Sequence, residues 1–242
     1  MKPDQRPILM CRLECPAEQL EMLDDWIPKH LDDSLAHRAV TSAGNYEIIR
    51  DFASLPSVLN HHGNRMVNYA TEDIEGCLEW LDSEELRGAI EDGVDRESQY
   101  PQLDGEPFIG NIYVPGDVVG GSPEDFIRDG TWYVERFEVP EAEISRFEAW
   151  STKQLHELVA LEGAVRARSW AQYRDAPRRF PFDRYRSKGN RMISLELQAH
   201  ADPMELSRDE RFASALQASV AEWDAHLPYV RRDLTRNIVV RP

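Results

Sequence analysis

Apolar side chains recur along this chain with two periods, every second residue in short runs and every third or fourth residue in longer runs. The first period is typical of β-strands and the second of amphipathic helices. The first half of the chain is predicted to contain strands at 7–14, 39–52, 65–70 and 108–114 and helices at 20–31 and 74–90. The second half is predicted to contain strands at 132–139, 165–173, 192–197 and 237–240 and helices at 144–161 and 212–223. Both halves therefore follow the order βαββαβ.

The two halves also share residues. At a spacing of 124 positions the segments 12–31 and 136–155 are identical at six places, which are Arg12, Glu14, Pro16, Trp26, Lys29 and Leu31. Residues 63–66 and 111–112 recur at 189–192 and 237–238, at a spacing of 126. Three matching blocks in the same order indicate a duplicated domain.

The order βαββαβ is that of the ferredoxin-like unit, whose two helices cover one face of a four-stranded antiparallel sheet. The other face of the sheet is apolar and has to be covered, and two copies in one chain can cover each other. The predicted fold is therefore α+β, with two tandem ferredoxin-like repeats that form an intramolecular, pseudo-dimeric α+β barrel. The repeats are predicted at 1–115 and 131–242, joined by a Gly- and Pro-containing linker at 116–130.

Composition restricts the class of protein. Hydrophobic residues make up 41% of the 242 residues and charged residues 30%, which is typical of a globular protein. No apolar run approaches the roughly 20 residues of a membrane span, and the first residues do not resemble a signal peptide. We therefore expect a cytoplasmic protein, in which Cys11, Cys15 and Cys77 are buried free thiols.

The net charge of −16 argues against nucleic acid or an anionic membrane as a partner. The charge is unevenly distributed, because residues 166–191 contain nine Lys and Arg whereas residues 72–97 contain eleven acids. These stretches are either solvated faces that attract each other or, for the arginines, a set of side chains around an anionic substrate. A homodimer formed through exposed sheet edges is also expected to be feasible.

The block Trp26-Ile27-Pro28-Lys29-His30-Leu31 resembles the Trp-Tyr-x-x-x-His-Leu-Pro signature of the EthD-like branch of the dimeric α+β barrel superfamily. In the second repeat the corresponding tryptophan is Trp150, while Gln154 replaces the histidine. The resemblance implies the barrel fold, with a pocket between the helices and the sheet of each repeat. The superfamily includes polyketide cyclases, cofactor-free monooxygenases, isomerases, lyases and haem enzymes, so the resemblance does not select a reaction.

A pocket in that position makes His30 a candidate general acid or base, since its ordinary pKa of about 6.5 lies near working pH. The alternative is a helix-end histidine that binds free carbonyl groups or water. Tyr69 and Tyr113 are candidate donors to a substrate oxygen or, alternatively, core tyrosines. His61 is a further catalytic candidate and His62 a substrate-binding candidate, in a loop that is otherwise solvated.

Trp26 is a candidate for lining the pocket, although core packing is the alternative. Arg166 and Arg168 alternate on one strand and should point to the same side, where they would bind an anionic ligand or form a salt bridge on the barrel surface. Tyr173 opens an arginine- and aromatic-rich excursion that could hold an aromatic acid or pack on the acidic helix of the first repeat.

These observations support three hypotheses. The first is a cofactor-independent enzyme, with no metal, that acts on a small aromatic, polyketide-like or carbonyl metabolite by acid/base proton transfer, as a cyclase, lyase or isomerase. The second is a ligand-binding or structural protein without a reaction. The third is a haem-binding tandem barrel with His156, His200 or His226 as the axial ligand. Motifs of nucleotide-binding proteins, serine hydrolases and zinc proteases do not occur in the sequence.

Overall fold

The structure, a computed structural model, describes residues 6–13, 15–49, 64–88, 108–121, 131–175, 189–198 and 209–241. Repeat 1 contains β1 (Ile8–Leu13), α1 (Leu20–Leu35), β2 (Val40–Ile48), β3 (Arg65–Thr71), α2 (Ile74–Leu81) and β4 (Phe108–Gly120). Repeat 2 contains β5 (Trp132–Phe137), α3 (Ile144–Val159), β6 (Ala164–Gln172), β7 (Arg191–Leu197), α4 (Glu210–Ser219) and β8 (Val230–Arg241). The predicted order βαββαβ is thus present twice.

The eight strands form one closed antiparallel barrel in the order β1-β3-β2-β8-β5-β7-β6-β4. Each repeat contributes four neighbouring strands, and the pairs β2–β8 and β4–β6 join the two repeats. Because all neighbours are antiparallel, the equivalent strands β1 and β5 lie opposite each other in the barrel and run in the same direction. The prediction of an intramolecular α+β barrel is confirmed.

Side chains alternate between the two faces of the barrel wall. Leu9 and Cys11 of β1 pack with residues of α1 and α2 in a repeat-1 core outside the barrel, whereas Ile8 and Met10 belong to a cluster inside it. Repeat 2 has an equivalent outer core under α3 and α4. The sheet therefore separates a barrel interior from one helix-covered space in each repeat.

The second helix of repeat 1 is shorter than predicted. A continuous helix was expected over 74–90, but α2 ends at Leu81 and helical structure begins again at residue 84. Ser83 causes the break, because its hydroxyl accepts a hydrogen bond from the Leu86 amide at 3.1 Å and so caps the new turn. Among the helices of the described ranges, none is long and apolar enough to cross a membrane.

Two strands extend beyond their predicted limits. β8 begins at Val230 although a strand was expected only over 237–240. Its charged residues 231–233 are buried inside or against the barrel. β4 continues to Gly120 and includes residues 116–120 of the stretch assigned to the linker.

Gly120 ends β4 in a conformation that favours glycine, with φ of 77°. A Cβ atom at this position would lie 2.5 Å from Val159 Cγ2 and 2.8 Å from the carbonyl oxygen of Val165. We expect Gly120→Ala to lower the free energy of unfolding by about 1–3 kcal/mol, measured by urea denaturation.

Gly88 provides the matched control, because it is helical and a Cβ atom there would meet nothing within 4 Å. Gly88→Ala should leave the stability unchanged or raise it by up to about 1 kcal/mol. Equal effects of the two substitutions would contradict the close approach between β4 and repeat 2.

Candidate functional site

Helix α1 carries a tryptophan and a histidine one turn apart, beside the face that packs on the sheet of repeat 1. Trp26 and His30 are four positions apart and therefore adjacent on the helix, and their rings stack with centroids 4.6 Å apart. Both side chains are partly buried, whereas Ile27 and Leu31 are fully buried in the core. The stacked pair thus lies at the margin of the repeat-1 core.

Tyr69 on β3 approaches this pair from the sheet. Its ring meets His30 edge-on at a centroid distance of 6.1 Å and contacts Trp80 of α2 at 4.9 Å. Trp26, His30, Tyr69 and Trp80 therefore form a continuous aromatic row between the two helices and the sheet. Burial raises the pKa of Tyr69 well above its ordinary value, so the phenol retains its proton.

Ser34 connects Tyr69 to the helix that carries His30. The Ser34 hydroxyl donates a hydrogen bond to the main-chain carbonyl of His30 at 2.9 Å, and it is also hydrogen-bonded to the Tyr69 hydroxyl. Because serine has a single hydroxyl proton, Tyr69 is the donor in that second bond. This connection holds the Tyr69 hydroxyl one helical turn from His30.

Asn45 and Trp80 have unpaired polar atoms in the helix-covered space of repeat 1. Both side chains are fully buried, and neither the Asn45 amide nor the Trp80 indole nitrogen has a hydrogen-bond partner. Asn45 lies opposite Val67 and two residues from Ala43, both of which belong to the repeat-1 core, so its side chain is on the helix-covered face. An unpaired buried polar group costs about 1–3 kcal/mol, which a bound polar molecule could recover.

Two thiols complete the lining of the repeat-1 core. Cys11 and Cys77 are buried and free, as predicted, and so is Cys15. Burial raises the pKa of Cys77 to about 12 and that of Cys11 well above its ordinary value. Both remain neutral thiols at physiological pH, which makes them poor nucleophiles. In the described ranges, no three His, Cys, Asp or Glu residues are grouped so as to hold a metal ion.

Tyr113 lies on the opposite face of the sheet from His30. Its neighbour Ile112 belongs to the repeat-1 core, whereas Tyr113 is inside the barrel. The Tyr113 hydroxyl donates to the carbonyl oxygen of Gly189 at 2.9 Å and accepts from the Asn111 amide at 3.2 Å. The structure therefore brings Tyr69, and not Tyr113, together with His30.

Arg166 and Arg168 do point to one side of β6, but this side is the barrel interior and not the surface expected for a structural ion pair. Both are fully buried. Arg166 Nε lies 3.1 Å from Glu196 Oε1, and Arg168 Nε lies 3.7 Å from the same oxygen. The Arg168 guanidinium is also 5.7 Å from the ring of Trp170. These arginines are thus separated from His30 by the sheet.

Tyr173 connects the second repeat to the first. Its side chain packs against the repeat-1 core, and its main-chain amide donates to the carbonyl of Ile112 at 2.8 Å. Tyr173 therefore remains a candidate for contact with a ligand in repeat 1. His61 and His62 lie outside the residues that the structure describes.

In repeat 2, the residue equivalent to His30 has a structural role. Its counterpart Gln154 is buried and donates a hydrogen bond to the carbonyl oxygen of Ala215 at 3.0 Å, which links α3 to α4. The counterpart of Tyr69, at a spacing of 126, is Leu195 in the repeat-2 core. Repeat 2 therefore has neither an imidazole nor a phenol at these two equivalent positions.

The helix-covered space of repeat 2 is filled by aromatic side chains. Phe147 contacts Phe137, Trp150 and Trp223 at centroid distances of 4.9, 5.3 and 5.3 Å. Trp150 also contacts Trp223 at 5.6 Å. Such aromatic packing stabilises the core of repeat 2.

The described histidines of repeat 2 do not fit a haem ligand. His156 on α3 and His226 after α4 are exposed, and the space beneath the helices holds the aromatic cluster. His200 lies outside the described residues. No step of a reaction is therefore assigned to a haem.

The unpaired amide of Asn45 leads to a prediction about both stability and binding. Asn45→Leu conserves volume approximately and removes the unpaired groups, so we expect the free energy of unfolding to rise by about 1–3 kcal/mol. We also expect ligand binding in repeat 1 to weaken by at least about 10-fold. Thermal unfolding and ligand titration measure the two effects.

Asn68 is a matched control for this substitution. It is equally buried and its amide has no hydrogen-bond partner, but it lies opposite Met10 on the barrel-interior face. Asn68→Leu should raise the stability without affecting ligand binding in repeat 1. If Asn45→Leu binds the ligand with unchanged affinity, Asn45 is not part of the binding site.

Comparison with known proteins places the fold. No protein-family model and no curated protein matches the chain. A candidate monooxygenase from Fusobacterium nucleatum subsp. nucleatum is similar in structure, with 8% identity, a TM-score of 0.61 and coverage of 98% of this chain and 94% of that chain. An anthrone oxidase-like protein has 11% identity, a TM-score of 0.60 and coverage of 100% and 95%. A chlorite dismutase variant from Candidatus Nitrospira defluvii has 9% identity, a TM-score of 0.51 and coverage of 97% and 91%.

These identities are too low to transfer an activity, but the matches extend over nearly the whole of each chain. They agree with the closed barrel of eight antiparallel strands and with its two helix-covered flanks. The chain therefore has the fold of a closed α+β barrel in which one polypeptide supplies both halves.

Proposed function

We propose that repeat 1 binds a small aromatic, polyketide-like or other carbonyl-bearing metabolite and catalyses a proton transfer on it without a cofactor. The reaction is of the cyclase, lyase or isomerase type. One observation carries the proposal: repeat 1 combines His30 and Tyr69 in an aromatic row beside the unpaired Asn45, whereas aromatic side chains fill the same space in repeat 2.

The chemistry follows from the groups present. His30 would remove a proton next to a carbonyl group or from a hydroxyl group of the bound molecule. Negative charge would then develop on the substrate oxygen, and the neutral Tyr69 phenol would exchange its Ser34 acceptor for that oxygen. Trp26 and Trp80 would offer faces for an aromatic ring, and the Asn45 amide would hydrogen-bond a further polar group.

The names of similar structures favour a second candidate, a cofactor-independent monooxygenase. Removal of a proton from an activated CH₂ group produces a carbanion, which reduces O₂ and forms a C–O bond as a peroxide anion. This anion takes up the proton held by His30, and loss of water, in which the O–O bond and the remaining C–H bond break, then gives a carbonyl group. The first step would again be proton removal by His30. Consumption of O₂, followed with an oxygen electrode, distinguishes this reaction from a cyclase, lyase or isomerase.

The test begins with a thermal-shift screen of hydroxylated aromatic compounds and β-diketones against the wild-type protein. Compounds that bind are incubated with the protein in D₂O, and NMR follows the exchange of their acidic protons. We expect exchange catalysed by the wild type, and a reduction of about 100-fold in Tyr69→Phe with binding retained.

Tyr113→Phe is the matched control, because it removes the same hydroxyl group from the opposite face of the sheet. It should leave exchange unchanged. Loss of exchange in Tyr113→Phe but not in Tyr69→Phe would overturn the assignment to repeat 1. Binding without exchange or reaction would favour a non-catalytic ligand-binding protein.

A further inference from the structure

The barrel interior contains a second cluster of buried charges, separate from the site in repeat 1. Arg12 and Arg136 are identical residues of the duplicated block, on the opposite strands β1 and β5. Both reach the same carboxylate, because Arg12 Nη2 and Arg136 Nη2 each lie 3.3 Å from an oxygen of Asp233. The duplication has thus brought two equivalent arginines together inside the barrel.

A third guanidinium group joins them. Arg231 Nε lies 3.0 and 3.2 Å from the two Asp233 oxygens. Arg12, Arg136, Arg231 and Asp233 are 5%, 2%, 5% and 3% exposed, respectively. The Asp233 cluster, as we call these four residues, therefore contains three buried guanidinium groups that contact one buried carboxylate.

Burial and the neighbouring charges shift the pKa values of Arg12 and Asp233. Burial is the main reason that the pKa of Arg12 falls to about 9, and the charges of Arg136 and Arg231 lower it further against the attraction of Asp233. Burial alone would raise the pKa of Asp233, but the surrounding arginines lower it to about 2. An additional anion beside the buried Arg12 guanidinium would therefore be favourable.

Hydrogen-bond donors are available for such an anion. The Arg12 Nε and Arg231 Nη1 atoms are buried and have no hydrogen-bond partner in the structure. Among the described residues, each of these two guanidinium groups is hydrogen-bonded only to Asp233. Guanidinium groups bind the oxygens of carboxylates and phosphates through paired N–H donors.

We propose that the Asp233 cluster is a binding site for a small oxyanion, a phosphate or carboxylate group, held by Arg12 and Arg231 inside the barrel. The site is independent of the proposed catalytic site, because Cys11, the neighbour of Arg12, faces the repeat-1 core on the other side of the sheet. Either proposal can fail without the other.

The experiment uses inorganic phosphate as the probe. Wild-type protein in a chloride buffer is titrated with sodium phosphate at constant ionic strength and pH 7, and thermal unfolding and calorimetry are recorded. We expect saturable binding of about one phosphate per chain. At a phosphate concentration about 100 times the Kd, we expect Tm to rise by about 5 °C. Titration with succinate in place of phosphate shows which oxyanion binds more tightly.

Arg231→Gln and Arg12→Gln should each weaken the binding of phosphate at least about 10-fold. Arg38→Gln is the control, because Arg38 is exposed and pairs with exposed Glu79. Equal phosphate responses in wild type, Arg231→Gln and Arg38→Gln would show adventitious surface binding and overturn the proposal. Should both interior variants fail to fold, the absence of saturable phosphate and succinate binding by the wild type would also overturn it.

Discussion

Asp233→Asn is expected to lower the free energy of unfolding by about 3–5 kcal/mol. The carboxamide has nearly the shape of the carboxylate but no charge, so Arg12, Arg136 and Arg231 would remain buried without the anion that they share. Removing one partner from a buried ion cluster has a cost of this size because the remaining charges are not compensated. Urea denaturation at pH 7 in chloride buffer measures the loss.

Asp25→Asn is the control, since this residue lies on the exposed side of α1. It should change the stability by less than about 0.5 kcal/mol. Phosphate should restore part of the stability of Asp233→Asn if the cluster accepts an oxyanion. A stability of Asp233→Asn within about 0.5 kcal/mol of wild type would show that the three arginines are not held by this carboxylate.

The same carboxylate predicts a pH dependence. The pKa of Asp233 is about 2 in the folded protein against an ordinary value of 3.8. Because the folded pKa is the lower one, the stabilisation is complete above pH 3.8 and is lost as the pH falls toward 2. Wild type should therefore lose more stability than Asp233→Asn between pH 4 and pH 2.

His30→Gln is expected to lower the rate of substrate proton exchange by about 10²–10⁴-fold, the usual contribution of a positioned general base. Glutamine is the natural residue at the equivalent position 154, where it fits in the helix and has a structural role. The variant should therefore fold, and its ligand affinity should remain within about 3-fold of wild type if the stacked Trp26 stays in place. Kinetics by NMR and titration of the ligand separate the two effects.

His156→Gln provides the matched control, because His156 is exposed on α3. Its rate should equal that of the wild type. A rate for His30→Gln within twofold of wild type would show that His30 is not the base. The Asn45 and Tyr69 variants would still test ligand binding in repeat 1.

The aromatic pair of the candidate site could be predicted from local pattern alone. Trp26 and His30 are four residues apart in a segment with clear helical periodicity, and the spacing places them together on any helix. Ser34 and Asn45 were missed. A serine in a helix and one asparagine in a strand are ordinary in sequence, and only the closure of α1 over β2 shows that they are buried beside Tyr69.

The charged residues of the barrel were the least predictable part of the structure. Arg166, Arg168 and residues 231–233 resemble an exposed strand edge, because charged side chains are rarely buried without partners. Their partners lie far away in sequence: Asp233 pairs with Arg12, 221 residues away. A local pattern contains no information about such a contact.

The sequence by itself determined the two repeats, the order of their strands and helices, and the closure of one repeat on the other. Periodicity can be recognised from neighbouring residues and duplication from identical residues at a fixed spacing. The closure follows because the bare apolar face of each sheet has to be covered. Only the tertiary structure decided that Tyr69 joins His30 while Tyr113 does not, that repeat 2 is filled, and that the arginines face inward. These outcomes depend on which face of the sheet each strand residue occupies and on contacts between distant segments, which closure of the barrel sets.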